Sequence, residues 1–186
     1  GDPTQYTLYT LSRGETTIKG GGNKITISNA GITVAKKGTV LNLGAKGYDK
    51  KLTIEGDGDT KIQAAFVTVS EGATANMYEN VTLQNRQQVD QACVVLEENS
   101  VFNMHGGVIQ NCKGKYGGVS LKNGSRFIME GGTISECEAN AGGGLYADNS
   151  TVTITGGTIS RCNVGAGGGL FATNSSKITI RGGTIS

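Results

Sequence analysis

The sequence GGTIS occupies residues 131–135 and returns unchanged at residues 156–160 and 182–186, with a weaker copy, GGVIQ, at residues 106–110. The first glycines of the four copies are separated by 25, 25 and 26 residues. A fixed period of this length is the signature of a repeat architecture, in which each repeat buries its apolar face against the next one.

A second glycine motif alternates with the first: GGVSL at residues 117–121, GGGLY at 142–146 and GGGLF at 167–171. Upstream of these copies the two glycine motifs are not recognisable, but two columns of apolar residues still recur from repeat to repeat. One column is Leu43, Met77, Met104, Met129, Ile154 and Ile180, and the other is Leu41, Ala75, Phe102, Phe127, Val152 and Ile178. Apolar residues two positions apart indicate half-buried strands and not helices.

A third column, five residues before the first apolar one, contains only glycine or asparagine. Its members are Gly38, Gly72, Asn99, Gly124, Asn149 and, one residue further off, Asn174. These two residue types tolerate positive φ better than others do. The column therefore predicts one left-handed turn position that is used in six successive repeats.

These patterns predict an all-β chain that forms a right-handed parallel β-helix, a solenoid of about six coils. Each coil would contain about 25 residues and three short strands, which pair in parallel with their equivalents in the next coil. Strand twist and crossover preference favour the right hand. In one repeat we place strands at residues 108–110, 118–121 and 126–129.

The repeat also suggests a division of the chain. We assign residues 38–186 to the β-helix and residues 1–37 to irregular N-terminal strands or a cap. The sequence stops in mid-repeat at Ser186. This end predicts a continuation of the same chain beyond Ser186, because an open strand edge normally needs a cap.

Composition narrows the classes of partner. The 186 residues include 31 Gly, 1 Pro and 1 His, with 17 Lys and Arg against 15 Asp and Glu. The numbers of positive and negative residues are nearly equal, whereas a dedicated nucleic-acid binder is expected to carry an excess of positive charge. No apolar run approaches the length of a membrane span, so we expect no membrane insertion within this sequence.

The alternation of the two glycine motifs resembles the coils of large bacterial surface and secreted adhesins of the pectate-lyase-like superfamily. It is also similar to the repeats of polymorphic outer-membrane proteins, although Gly144 and Gly169 stand where those repeats have alanine. The resemblance covers about residues 66–186. It implies an extracellular or cell-surface bacterial protein whose rod serves cell adhesion, either by presenting a binding face or as a rigid stalk.

Cysteines form a column of their own. Cys112, Cys137 and Cys162 each lie six residues after a glycine pair, and Arg86 holds the equivalent place one coil earlier. The favoured interpretation is a structural ladder of buried thiols, since in-register side chains point the same way. A disulfide between neighbours in the column and a thiolate metal site are the alternatives. Cys93, in another column, is interpreted as an isolated buried thiol.

Catalysis is not predicted, because the acidic residues are scattered over different columns and form no carboxylate constellation. The close pair Asp57 and Asp59 fits a turn, and His105 is expected to be solvated. We therefore predict no catalytic, cofactor-binding or metal-binding residues. A polysaccharide lyase or hydrolase of the same fold is the alternative function.

Two aromatic residues, Tyr146 and Phe171, are assigned to the column of Leu96 and Leu121. Stacking in the core is the favoured interpretation, and an exposed aromatic strip for contact with a glycan or a protein is the alternative. A host or neighbouring-cell glycan or protein is the expected partner. The loops at residues 44–51 and 86–91 are where a rod would carry variable contacts.

Overall fold

The computed structural model describes residues 9–22, 24–27, 31–58, 64–87 and 90–186. In these ranges the chain forms three sheets of seven strands each and one sheet of three strands. None of the described ranges contains a helix with the length and apolarity needed to cross a bilayer.

The strands of the four sheets follow one another along the chain in a repeating order. Sheet A contains β1 (Tyr9–Leu11), β4 (Ile32–Val34), β7 (Val67–Val69), β10 (Val94–Leu96), β14 (Val119–Leu121), β18 (Leu145–Asp148) and β22 (Leu170–Thr173). Sheet B contains β2 (Glu15–Ile18), β5 (Val40–Leu43), β8 (Thr74–Met77), β11 (Val101–Met104), β15 (Arg126–Met129), β19 (Thr151–Ile154) and β23 (Lys177–Ile180). Sheet C contains β3 (Lys24–Ile27), β6 (Leu52–Gly56), β9 (Val81–Gln84), β12 (Val108–Gln110), β16 (Thr133–Ser135), β20 (Thr158–Ser160) and β24 (Thr184–Ile185). Sheet D contains β13 (Lys113–Gly114), β17 (Glu138–Ala141) and β21 (Asn163–Ala166).

Every strand pairs in parallel with its equivalent one coil further along the chain. In sheet B, for example, β11 pairs with β8 on one side and with β15 on the other. The chain therefore winds through sheets A, B and C in turn, and each sheet runs along the rod. This confirms the predicted all-β solenoid with three strands per coil. Strands β12, β14 and β15 lie where the sequence placed them.

The interior of the rod consists of apolar columns in continuous register. Met77, Met104 and Met129 are direct neighbours on adjacent strands, and all three are fully buried. In the column beside them, the rings of Phe102 and Phe127 stack with their centroids 6.0 Å apart. Except for Ile180, which is exposed, the members of both predicted columns lie in or against one hydrophobic cluster that runs through the coils, because strand alternation sends every second residue inward.

The glycine and asparagine column has the predicted conformation. Its φ angles are 89° at Gly38, 74° at Gly72, 62° at Asn99, 78° at Gly124, 47° at Asn149 and 48° at Asn174. In three coils the residue before it is also left-handed: φ is 53° at the glutamates Glu71 and Glu98 and 54° at Asn123. Two consecutive left-handed residues make the tight turn that joins sheet A to sheet B.

Side-chain amides form a ladder on the outer face of sheet B. Asn42 Nδ2 donates to Glu15 Oε1 at 2.6 Å, Asn76 Nδ2 to Asn42 Oδ1 at 2.7 Å, and Asn103 Nδ2 to Asn76 Oδ1 at 2.8 Å. Every amide donates toward the N-terminal end, where a carboxylate accepts. Hydrogen bonds aligned in this way polarise and strengthen one another.

A second ladder with the same direction lies on the outer face of sheet C. Gln110 Nε2 donates to Gln84 Oε1 at 2.9 Å, and Gln84 Nε2 donates to Glu55 Oε2 at 3.0 Å. Lys24 forms an ion pair of 2.7 Å with Glu55. These contacts lower the pKa of Glu55, with the Lys24 hydrogen bond as the largest cause and the Gln84 hydrogen bond as the second.

The predicted boundary at residue 38 is not a change of fold. Strands β1, β2 and β3 pair in register with β4, β5 and β6, so the described part of residues 1–37 belongs to the same solenoid. The sequence hid this continuity because no pair of adjacent glycines lies between Gly22 and Gly106. Their connections also differ in length from the later ones.

Candidate functional site

The corner at which the chain leaves sheet C and enters sheet A contains the cysteines. A disulfide joins Cys93, directly before β10, to Cys112, directly after β12, with the two Cα atoms 6.0 Å apart. It closes one coil across this corner and does not link neighbours in the predicted column. The interpretation of Cys93 as an isolated thiol was therefore wrong, and so was that of Cys112 as a member of a ladder of thiols. Residues on the two sides of one corner face each other, whereas column neighbours point the same way.

The other two cysteines are free thiols, and they remain in the predicted column. Cys137 is fully buried and Cys162 is half-buried. Each thiol donates to the carbonyl oxygen two residues before it: Cys137 Sγ to Ser135 O at 3.3 Å, and Cys162 Sγ to Ser160 O at 3.4 Å. The two side chains therefore have the same orientation in successive coils.

The two thiols lie close enough to influence each other's pKa. A hydrogen bond from Cys137 lowers the pKa of Cys162, and the charge of Arg161 contributes in the same direction. The same hydrogen bond raises the pKa of Cys137, and burial raises it further. The half-buried sulfur is thus the more readily ionised of the pair.

One coil before the disulfide, the same corner is filled by Arg86 and Phe66. Arg86 is fully buried, and its guanidinium carbon lies 4.8 Å from the centroid of the Phe66 ring. Within the ranges that the structure describes, none of its three guanidinium nitrogens donates a hydrogen bond. Burial lowers the pKa of Arg86 to about 10, and the charge of Asp57 opposes this shift.

The structure moves Tyr146 into a different column from the predicted one. Strand β18 pairs with β14 so that Tyr146 lies beside Ser120 and Ala147 lies beside Leu121. The equivalent positions of these two coils are separated by one residue more than the repeat predicts. A shift of one residue moves a side chain to the other face of a strand. Tyr146 and Phe171 remain neighbours, but outside the core, where both are half-buried.

A third aromatic residue, Tyr116, joins these two. The centroids of Tyr116 and Tyr146 are 4.2 Å apart, and those of Tyr146 and Phe171 are 5.8 Å apart, with the latter two rings nearly parallel at 7°. We call Tyr116, Tyr146 and Phe171 the aromatic strip. Tyr116 lies in the connection after β13 and in no repeated column, so the repeat pattern does not reveal it.

Two lysines cover the end of the aromatic strip. The ammonium groups of Lys122 and Lys115 lie 5.1 Å and 5.4 Å from the centroid of the Tyr116 ring, within cation–π range. Tyr146 stacks between Tyr116 and Phe171, so neighbouring rings cover both of its faces. The strip therefore offers apolar ring edges beside positive charge.

Sheet D forms a polar wall beside the aromatic strip. A shallow groove on it is lined by Asp90, Lys113, Lys115, Glu138 and Asn140. Lys113 Nζ lies 3.0 Å from Glu138 Oε2 of the next coil. Glu136 forms the corresponding ion pair with the coil after it, with its Oε1 2.7 Å from Arg161 Nη2. Together, the strip and the groove make a surface with apolar edges and charges of both signs.

Other candidate residues take ordinary structural roles. His105 is not simply solvated: its Nδ1 lies 2.7 Å from Glu130 Oε2, and its ring stacks on Tyr78 with centroids 5.0 Å apart. In the described part of the chain, no three His, Cys, Asp or Glu side chains converge on a point where they could hold a metal ion.

The two loops expected to carry contacts differ. The loop at residues 44–51 packs back onto the rod, since the Tyr48 hydroxyl donates to Gly20 O at 2.9 Å and Asn80 Nδ2 donates to Tyr48 O at 2.9 Å. Within the loop at residues 86–91, positions 88 and 89 lie outside the described residues, as does Asp59 of the predicted turn pair.

Comparison with known proteins identifies the fold family. No curated protein and no solved structure matches the chain. The family described as a right-handed β-helix region matches residues 92–186, which is half of the sequence. This stretch contains the disulfide, the free thiols and the aromatic strip, and its repeated coils are those from which the solenoid was predicted. The chain belongs to the right-handed β-helix family.

Proposed function

We propose that this rod is a non-catalytic segment of an adhesin-like bacterial protein that is secreted or displayed on the cell surface. The observation that carries the proposal is the unbroken register of three sheets of seven strands each. Such a stack orders the side chains of its outer faces in straight lines and resists bending. A stiff rod of this kind is suited to present a binding surface, or to hold one away from the cell.

The surface formed by the aromatic strip and the sheet D groove is the best candidate for the binding face. It combines half-buried aromatic edges with the ammonium groups of Lys113, Lys115 and Lys122. Edges and cations suit a protein surface or a glycan that carries acidic groups. Exposed apolar surface that is rimmed by charge is typical of interaction sites.

The disulfide supports the proposed compartment. Cys93 and Cys112 are bonded to each other, and structural disulfides persist in secreted and cell-surface proteins while cytosolic thiols are kept reduced. The bacterial source and the adhesive role are taken from the resemblance of the two glycine motifs to adhesin coils.

Binding of the purified chain to arrays of glycans and extracellular-matrix proteins tests the proposal. We expect retention on at least one class of ligand, and at least a tenfold loss of affinity in the double variant Lys115→Ala/Lys122→Ala. The matched control is Lys177→Ala, an exposed lysine on sheet B, which should bind like the wild type. Equal loss in the control would place the binding face elsewhere.

Two other results would contradict parts of the proposal. If the chain bound nothing on the arrays, the binding face would be refuted and the rod would serve only as a stalk. If the chain released oligosaccharides from a panel of acidic polysaccharides in the presence of calcium, it would be a carbohydrate-active enzyme and the non-catalytic assignment would be wrong.

A further inference from the structure

Cys137 and Cys162 occupy equivalent positions on adjacent coils. The residues on both sides of them are paired in register, Ser135 with Ser160 and Glu138 with Asn163. The backbone N–H of Asn163 donates to the carbonyl oxygen of Cys137 at 2.9 Å. Neighbouring strands are about 4.8 Å apart, which puts two in-register Cα atoms inside the range of about 4.4–6.8 Å found in disulfides.

The two thiols differ in access to solvent. Cys137 is fully buried in the core cluster, whereas Cys162 is half-buried and only packs against that cluster. A reagent in solution therefore reaches Cys162 first. The neighbouring sulfur of Cys112 is already bonded to Cys93, so Cys137 and Cys162 are the two free thiols of the described chain.

We infer that Cys137 and Cys162 form a redox-active dithiol, which a small-molecule disulfide converts into a disulfide between two coils. This is a covalent modification site, and it does not depend on the proposed binding function. The half-buried Cys162 is the attacking thiol, and the buried Cys137 is the resolving thiol.

The reaction is two consecutive thiol–disulfide exchanges. The Cys162 thiolate, having lost its proton to water, attacks one sulfur of the external disulfide, forms a mixed disulfide and expels one thiolate. Cys137 then loses its proton and attacks Cys162 Sγ, which expels the second thiolate. The external disulfide is reduced to two thiols, and the two cysteines are oxidised to one disulfide.

Closing the bond requires one side chain to turn. Both sulfurs now point toward the carbonyl two residues before them, so they lie side by side and do not face each other. Because Cys162 is half-buried and Cys137 is fully buried, we assign the rotation about χ1 to Cys162. The product would join two coils that are now held together by backbone and core contacts.

Incubation of the folded chain with oxidised glutathione, followed by intact mass and peptide mapping over time, tests the inference. In the wild type we expect a transient glutathione adduct on Cys162, then a species with no adduct, no free thiol and a Cys137–Cys162 linked peptide. Cys137→Ser should stop at a stable adduct on Cys162. Cys162→Ser should remain unmodified while it is folded.

Other outcomes would overturn the inference. It fails if the wild type stops at a stable adduct, if neither thiol reacts before unfolding, if Cys137 reacts first, or if the linked peptide contains Cys112. The wild-type time course needs no substitution, and it remains decisive if a variant folds poorly. Circular dichroism of each variant checks that its strand content is unchanged.

Discussion

Gly118 occupies the register position of Cys93 one coil on, and a Cβ atom added to it would lie 3.4 Å from the sulfur of Cys137. The two positions that meet at this corner hold Phe66 with Arg86, then Cys93 with Cys112, and then Gly118 with Cys137. The corner is thus filled by a different pair in each coil. Next to Gly118 there is no room for a second side chain, which explains why the disulfide is not repeated there.

Gly118→Ala should destabilise the rod through overpacking. The new Cβ would lie 2.8 Å from Ile134 Cγ2 and 2.9 Å from Gly144 O, both closer than real contacts allow. Overpacking of this kind typically costs about 1–3 kcal/mol of unfolding free energy. Urea unfolding followed by circular dichroism measures the change.

Gly38 provides the matched control for this prediction, because its φ is +89° and nothing lies within 4 Å of an added Cβ. There an alanine is strained by about 1–2 kcal/mol through its backbone conformation alone, and an asparagine should recover part of that loss. No such recovery is expected for Gly118→Asn. If asparagine were as well tolerated at position 118 as at position 38, the corner would not be as tightly packed as described.

Removal of the disulfide should lower the unfolding free energy substantially. Cys93 and Cys112 are separated by 19 residues, and a cross-link over a loop of this size stabilises by about 3 kcal/mol in the loop-entropy model. The double variant Cys93→Ala/Cys112→Ala should lose about that amount in guanidinium unfolding. A reductant should destabilise the wild type similarly and leave the double variant unchanged. An equal response of both to the reductant would show that another bond is involved.

The solenoid could be predicted because each buried column repeats one kind of chemistry. Met77, Met104 and Met129 recur at the repeat period, and so do the left-handed Asn99 and Asn149, since stacked coils place each of them in the environment of the last. A column of this kind shows directly which residues of adjacent coils lie side by side. It therefore identifies the fold without any knowledge of the side-chain contacts.

The candidate site was less predictable, because it depends on contacts between different columns and on coils that are one residue longer than the others. The pairing of Cys93 with Cys112 reflects how the chain bends at a corner, which a repeat period does not encode. Tyr146 changed column because one coil is a residue longer. The only sign in the sequence that Tyr116 belongs to this site is that Lys115 and Lys122 lie near it.

The asparagine ladder should be more sensitive at Asn76 than at its last member, Asn103. Asn76→Ala would remove both the donor to Asn42 Oδ1 and the acceptor of Asn103 Nδ2. Leaving partly buried polar groups without partners costs about 1–3 kcal/mol. Asn103→Ala removes one bond at the end of the ladder, and a smaller loss is expected. Thermal or urea unfolding of the two variants compares them, and an equal or larger loss for Asn103→Ala would argue against a cooperative ladder.

Glu55 should contribute to the loss of stability in acid. Its pKa in the folded chain is lowered by the hydrogen bond from Lys24 and then by that from Gln84. Its contribution is therefore fully present above the unfolded glutamate pKa of about 4.3 and disappears as the pH falls through the lower folded value.

Glu55→Gln should be less stable than the wild type at neutral pH and should converge with it toward pH 3. Urea unfolding across this range measures the effect, and Glu79→Gln, an exposed glutamate, controls for general charge effects. Parallel curves at all pH values would contradict the role of Glu55.

Arg86 tests whether the corner needs its charge or only its volume. The guanidinium is buried over Phe66, burial lowers its pKa to about 10, and in the described part of the chain its nitrogens donate no hydrogen bonds. Arg86→Met keeps an unbranched side chain against the ring, and Asp57, whose charge acts on the guanidinium, is exposed. Replacing buried charged groups by apolar groups of similar volume is often neutral or stabilising, by about 1–4 kcal/mol for a whole ion pair. We therefore expect Arg86→Met to match or exceed the wild type in unfolding free energy at pH 7, and Arg86→Ala to lose several kcal/mol, about 2–5, through the cavity it leaves. If methionine were as damaging as alanine, the charge itself and not the packing would hold this corner together.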